Sequence, residues 1–249
     1  MNKQGQVTLF IIIAIVILGS AVIYFAFRNS LSNSADNSFQ EAETVKTFTE
    51  SCIQKTGIDV IYEVGLGGGY YFPPKDSTES GIVYYYDSAN ISNFPSLSFV
   101  EDQISLYISE NIPLCTKNFV LFENVNVSSG TIDVKTSIEN DKVILNLNYP
   151  IKISKGNQTS IVSEFKNVEI PIRLGTIYNS VGEISDYSYE NSGKICLSCI
   201  LNVSEKNNLN VSMIDYENSS TIFIISDKNS NAKNGTDFMW LFANKYKKV

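Results

Sequence analysis

The hydrophobic pattern divides the chain into regions of different period. From Val7 to Phe27 no charged residue occurs, and only Thr8, Gly19, Ser20 and Tyr24 interrupt the apolar run. As a helix this stretch is ~32 Å long, close to the ~30 Å hydrocarbon core of a bilayer. It ends in Tyr-Phe-Ala-Phe-Arg, with no small-residue exit of the kind a cleaved secretory signal carries. The pattern predicts a retained transmembrane helix over residues 1–28 with its short leader. Asn29 to Ser38, NSLSNSADNS, is polar and poor in helix formers, and residues 29–37 read as a linker.

Behind it, Ser38 and Glu41 have capping-box spacing, and Phe39, Ala42, Val45, Phe48 and Cys52 recur at three and four residues. This predicts an amphipathic helix that stops near Gly57, with a second apolar turn over Ile58 to Leu66. Gly65 to Gly69 followed by YYFPP reads as a loop, and Gly81 to Asp87 as a strand. A second capping box, Ser98 with Glu101, opens a helix expected to end before Pro113. From about Val125 the period becomes two. Thr131–Ile138, Lys142–Ser154 and Ser160–Leu174 read as antiparallel strands, the last two joined by a turn at Lys155 to Gln158. Helices follow over Ile177–Tyr189 and Lys194–Glu205. Strands are expected over Asn210–Tyr216 and Thr221–Asp227, with a turn at Glu217 to Ser219, and a last strand over Phe238–Asn244. Helices and strands come in separate runs, so the fold class is α+β: a transmembrane helix, then an ectodomain with a helix-rich part (38–124) and a part built on an antiparallel sheet (125–249).

Charge narrows the partners. Lys3 and the α-amine precede the apolar run, while Arg28, Asp36, Glu41 and Glu43 follow it, which favours an N-terminus in the cytoplasm and the body outside the cell membrane. The net charge of −7 argues against nucleic acid as a partner, and the tail Lys245, Lys247, Lys248 reads as a solvated terminus. The partners implied are the lipid bilayer and an envelope protein or glycan. The chain contains no histidine, which removes Ser-His-Asp and Cys-His nucleophile systems, histidine zinc sites and histidine proton shuttles. No cofactor is implied.

Four cysteines remain: Cys52, Cys115, Cys196 and Cys199. An even number in an exported chain suits disulfides, and spacing favours Cys196–Cys199 with Cys52–Cys115 among the three pairings. Cys196-Leu-Ser-Cys199 near a helix start suits thiol–disulfide exchange as well. A thioredoxin-like enzyme calls for a strand directly before the motif, however, and the residues there are ENSGK, so a structural disulfide is expected. GLGGG lacks the strand before it and the G-K-[ST] after it that a phosphate loop needs. In the strand GIVYYYD, alternation places Tyr84 and Tyr86 on one face and Tyr85 on the other. Glu101, Asp102, Glu183 and Asp186 are read as solvated helix residues rather than a catalytic carboxylate pair. Of seven N-x-[ST] sequons, those at Asn157, Asn218 and Asn234 fall in expected turns where a glycan is accepted. Asn126, Asn202 and Asn210 fall in regular elements.

Two resemblances follow from these residues. Lys3-Gln4-Gly5 followed by Gln6-Val7-Thr8 resembles an archaeal class III, prepilin-like signal, which implies cleavage between Gly5 and Gln6 with the apolar helix left in place. Phe10 stands where that family usually carries a glutamate, and Gln4 where it usually carries a basic residue. Glu50-Ser51-Cys52 with Thr56-Gly57, GLGGGY, Asn148-Tyr149-Pro150, IPIRLG at 170–175, CLSC at 196–199 and FANKY at 242–246 together resemble a group of uncharacterised single-pass membrane-anchored surface proteins of small-genome archaea. The resemblance implies a surface location and no mechanism. The expectation is a membrane-anchored extracytoplasmic protein with a structural or interaction role at the cell envelope. The alternatives are a pilin-like filament subunit and an envelope thiol oxidoreductase using the CxxC.

Overall fold

The computed structural model describes residues 40–87, 91–191, 194–216, 219–233 and 235–246. The apolar run, the linker, Gly5 and Gln6 lie outside these residues, as do Asn218 and Asn234. Among the described residues no helix is long and apolar enough to cross a membrane. Over the described residues the fold is α+β: four α-helices, α1 (Gln40–Leu66), α2 (Leu97–Thr116), α3 (Leu174–Glu190) and α4 (Leu197–Asn207), with nine strands in two sheets.

The first sheet is built on β5 (Val143–Lys155). It pairs antiparallel with β6 (Gln158–Ile170) on one side and with β4 (Asp133–Ile138) and β3 (Asn126–Ser129) on the other. Every second residue of β5, from Val143 through Leu145, Leu147, Tyr149 and Ile151 to Ile153, is buried, so the period of two in the sequence becomes one core face. Helices α1 and α2 cover that face side by side. Their antiparallel course is fixed by Cys52 bonded to Cys115, by Phe48 against Phe122, and at the other end by Tyr71 against Tyr107.

The second sheet has the order β2 (Ile91–Ser92), β1 (Tyr84–Asp87), β9 (Phe238–Lys245), β8 (Ser220–Asp227), β7 (Asn210–Tyr216). Here the expectation of antiparallel strands needs correction, because β1 runs parallel to β9 and the sheet is mixed. The core face of this sheet is aromatic. Phe223, Phe242 and Tyr85 stack in sequence, with centroids 4.8 and 4.6 Å apart, and Tyr178 of α3 meets both Trp240 and Phe94. The Tyr85 hydroxyl donates to the Gly68 carbonyl at 2.7 Å and accepts from Trp240 Nε1 at 2.9 Å, so its complete burial leaves no unmet polar atom. The parallel pairing of β1 shifts register between Tyr84 and Tyr86, and both Tyr85 and Tyr86 are buried. The simple alternation expected of GIVYYYD fails at that irregularity.

Several boundaries differ from the sequence reading. Helix α1 does not stop at Gly57 but continues to Leu66, because Gly57 is where it meets the first sheet. A Cβ there would lie 2.5 Å from Ile170 Cδ1 and 2.7 Å from Leu145 Cδ1. Helix α2 is capped by Ser96, whose Oγ accepts from the Phe99 N–H at 3.2 Å. Glu101 is not part of a capping box but accepts from the Ile138 N–H at 2.8 Å, tying α2 to β4. That helix also passes through Pro113 to Thr116, with Ile112 and Thr116 buried on either side of the proline. Tertiary contacts outweigh the ~3 kcal/mol propensity cost of the ring. Strand β6 stops at Ile170, before Pro171, rather than running to Leu174 as expected, and α3 starts three residues earlier than Ile177.

Helix α1 touches both sheets. Gly57 sits on the first, and eight residues on Gly65 sits on the second, where a Cβ would lie 2.4 Å from the Met239 carbonyl oxygen and 2.5 Å from Phe238 Cζ. The obstacles differ. At Gly57 they are the ends of flexible side chains, while at Gly65 one is backbone. Gly65→Ala is expected to destabilise the protein by about 3 kcal/mol. Gly57→Ala is expected to cost less than about 1 kcal/mol, since overpacking there is offset by the ~1 kcal/mol helix propensity of alanine over glycine. Urea unfolding of the two disulfide-intact variants measures the contrast; equal losses would refute the assignment of Gly65 as the rigid contact.

Candidate functional site

The CLSC motif lies at the start of α4. Cys196 is the N-cap residue, and its Sγ accepts from the Cys199 N–H at 3.0 Å while bonded to Cys199 Sγ. Sequence fixes this arrangement: Ile200 and Val203 turn inward, so Leu197 and Leu201, four residues apart on the opposite side, are each 62% exposed. Residues 194 and 195, directly before the motif, are not a strand. Cys196 is 3% exposed and Cys199 only half-buried. A reactive cysteine is a partly exposed thiolate, and the first sulfur here is shielded. The geometry therefore favours a bridge that closes the first turn of α4.

The second bridge, Cys52–Cys115, joins the two helices on the first sheet and closes a sequence separation of 63. Both pairings match those that spacing favours. Among the described residues no cysteine is free, and no group of three His, Cys, Asp or Glu side chains is placed to hold a metal ion.

The acidic residues singled out by sequence are not brought together into one cleft. Glu183 lines a polar cleft of about 210 Å³ with Asn140, Thr176, Asn179, Ser180, Lys206 and Asn207, and no second carboxylate lines it. Its Oε1 accepts from Asn202 Nδ2 at 3.1 Å. A larger groove of about 440 Å³ runs along the outer side of α1 between Ser51 and Lys233. Of its two lysines, Lys55 and Lys233, the second is paired with Asp59 at 3.0 Å and lies over the Tyr62 ring. Asn157 is exposed in the two-residue turn between β5 and β6, beside Gly156 at φ +57°. Asn126, Asn202 and Asn210 lie in β3, α4 and β7.

Sequence reasoning missed the most tightly built polar cluster. Arg173, between β6 and α3, donates from Nε to Asp227 Oδ2 at 3.0 Å and from Nη2 to Asp227 Oδ1 at 2.7 Å. Its Nη2 also donates to the Asn207 carbonyl at 3.0 Å. Asp227 is fully buried at the end of β8 and also accepts from Ser230 Oγ at 2.6 Å and the Asn229 N–H at 3.0 Å. Burial alone would raise the Asp227 carboxyl. The Arg173 guanidinium, with Ser230 and the Asn229 N–H, more than offsets this and holds it below the usual carboxylate range. The one available signal was composition: the chain has two arginines among 19 basic residues, and Arg173 is the one outside the N-terminal region. Planar bidentate pairing is what arginine does and lysine does not.

Two outcomes follow. Asp227 has a lower pKa folded than unfolded, so its contribution to stability is complete above ~4, the ordinary aspartate value, and is lost as pH falls through the lower folded value. Urea midpoints measured from pH 6 downward are expected to fall through that window. Asp227→Asn is expected to destabilise by about 3–5 kcal/mol at neutral pH, by leaving Arg173 unpaired, and to show a shallower acid slope. An unchanged slope in the variant would refute the role. For the disulfides, the chain-entropy model gives a loss of ~4 kcal/mol for the Cys52→Ser/Cys115→Ser double variant and ~2 kcal/mol for Cys196→Ser/Cys199→Ser. The same unfolding measurement ranks them, and the reverse order would contradict the loop-length account.

With the geometry in place, comparison with protein-family models, with curated proteins and with solved structures finds no match to this chain.

Proposed function

We propose that the chain is a single-pass membrane protein. Its N-terminus is cytoplasmic, and residues 38–249 form an extracytoplasmic domain with a structural or interaction role at the cell envelope. The observation that carries the reading is the joint occurrence of two disulfides in one domain with the uncharged apolar run Val7–Phe27 ahead of it. Disulfides persist in oxidising compartments, and the run has the length of a membrane span. An exposed sequon turn at Asn157 fits the same compartment. The Lys3-Gln4-Gly5 leader is proposed to be cut before Gln6, as in class III signals, and the chain to belong with the archaeal surface proteins it resembles. The partners are lipid, through the span, and a protein or glycan of the envelope; nucleic acid is disfavoured by the net charge of −7.

One observation favours a second reading, a pilin-like subunit. The described fold begins with a 27-residue helix that packs along an antiparallel sheet and starts within a short distance in sequence of the span. The residues NSLSNSADNS between span and helix weigh against one continuous stem. The thiol oxidoreductase alternative is weakened by the burial of Cys196.

The expected outcome in native cells is that the full chain resists alkaline extraction from membranes and is cut by protease added outside. Intact mass should report an N-terminus at Gln6 and added sugar on Asn157. Release of the chain by alkali sinks the anchor, and a filament labelled by antibody to the domain transfers the argument to the pilin-like reading.

A further inference from the structure

The strand edges of this fold are not alike. An open edge presents unpaired N–H and C=O groups to any other extended chain, and proteins blunt such edges with short strands, charges, prolines or bulges. At the first sheet, β6 carries Glu164, Lys166 and Glu169, shifts register twice against β5, and holds Asn167 at φ +55°. On the other side β3 has four residues, and β4 has six that include Asp133 and Lys135. At the second sheet, β2 has two residues.

Strand β7 has little of this protection. Its seven residues, NVSMIDY, include no lysine, arginine, proline or glycine, and Asp215 is their one charge. Its register against β8 is unbroken from Asn210↔Ser226 to Tyr216↔Ser220. Among the described residues no strand lies beyond it. Met213 is 40% and Ile214 51% exposed. On the face away from the aromatic core, cross-strand pairs form two rows: Ile214, Ile222 and Ala243 in one, and Ser212, Ile224 and Leu241 in the other.

We propose that β7 pairs antiparallel with β7 of a second copy of this chain, about a two-fold axis at Met213, so that the two second sheets become one continuous sheet. The strand is self-complementary in that register. Met213 faces itself, Ser212 faces Ile214, Val211 faces Asp215 and Asn210 faces Tyr216. Asp215 of each copy thus opposes a valine. The two carboxylates stand ~13 Å apart along the strands, beyond the ~8 Å screening length of physiological salt. Across the junction the row Ala243, Ile222, Ile214 runs on into Ser212, Ile224, Leu241 of the second copy, and the reverse. Pairing therefore doubles each apolar row while satisfying the edge amides, a closed isologous contact. The inference rests on the interaction role proposed above and is independent of the anchor.

The test uses the full chain in detergent. Sedimentation velocity with the detergent contribution matched is expected to give the mass of two chains. Met213→Asp sets two carboxylates against each other at the axis, and its exposed position spares the core. It should halve that mass while circular dichroism stays unchanged, and the β7 amides, slow to exchange in the wild-type chain, should exchange rapidly. Met213→Cys should give a covalent dimer under mild oxidation, with the two substituted positions joined in the peptide map. A wild-type chain that sediments as a monomer at every soluble concentration overturns the proposal. So does a dimer that survives Met213→Asp, or a Met213→Cys chain that never cross-links. Protection of β7 that appears only when another membrane protein is added assigns the edge to a foreign strand and overturns it too. Alkaline extraction reports on the anchor separately, so either reading can fail without the other.

Discussion

The architecture depends on how closely one helix approaches two sheets. Helix α1 carries the fold's longest helical surface, and its two contact points are the glycines at 57 and 65. Eight residues is a little over two turns, so the two lie ~12 Å apart along the axis and ~80° apart around it, an offset that lets each face a different sheet. A side chain at Gly65 would press on backbone and hold the helix off the second sheet beside Val60, Ile61 and Val64, all fully buried, whereas at Gly57 the ends of Leu145 and Ile170 can give way. The entropic cost of glycine in a helix interior is therefore tolerated because close packing on both sheets offsets it. The glycines beyond the helix continue the contact. At Gly68 a Cβ would lie 2.7 Å from the Leu241 carbonyl oxygen, and at Gly69 2.6 Å from Pro95 Cγ, with both residues at positive φ. The GLGGG run is thus the continuation of the helix seat onto β9 and β1.

The buried pair Arg173–Asp227 works at a second junction. Arg173 closes the passage from the first sheet to α3, Asp227 ends β8, and the Asn207 carbonyl it also binds ends α4. Chain positions 34 and 54 residues from Arg173 are placed by one guanidinium. A buried ion pair is weak evidence for net stability, because desolvation consumes most of the Coulomb gain. Its geometry is demanding, though, and only one arrangement of the three chain ends satisfies both carboxylate oxygens. Registry of the two halves is the role this points to, with the disulfide Cys52–Cys115 fixing α1 to α2 by covalent means on the other side.

What sequence made legible follows the same division. Strands with one buried face announced themselves: β5 and β6 with their turn at Gly156 and Asn157, and β7 and β8 to within a residue, because alternation is a local property. The cysteine pairs were also readable, since a three-residue separation leaves the other two to each other. The misreadings were nonlocal. Gly57 looked like a stop because nothing nearby in sequence says that Leu145 and Ile170 will press against it. Pro113 looked like an end because the burial of Ile112 and Thr116 is tertiary. Glu101 looked like half of a capping box until β4, 37 residues away, claimed its carboxylate. Arg173 and Asp227 are 54 residues apart, and each alone resembles any solvated charge.

The end of the molecule at which the chain enters carries a further consequence. Lys155, at the tip of the β5–β6 hairpin, is paired with Glu41 in the first turn of α1. The hairpin tip and the start of the described fold are therefore neighbours, and Asn157 is part of that tip. Twelve residues separate Phe27 from Gln40, a contour of at most ~47 Å. On the anchored reading this bounds the distance from the bilayer to the hairpin, and a glycan on Asn157 would stand at the end of the domain closest to the lipid. Edge strand β7 follows α4 through Asn208 and belongs to the other sheet.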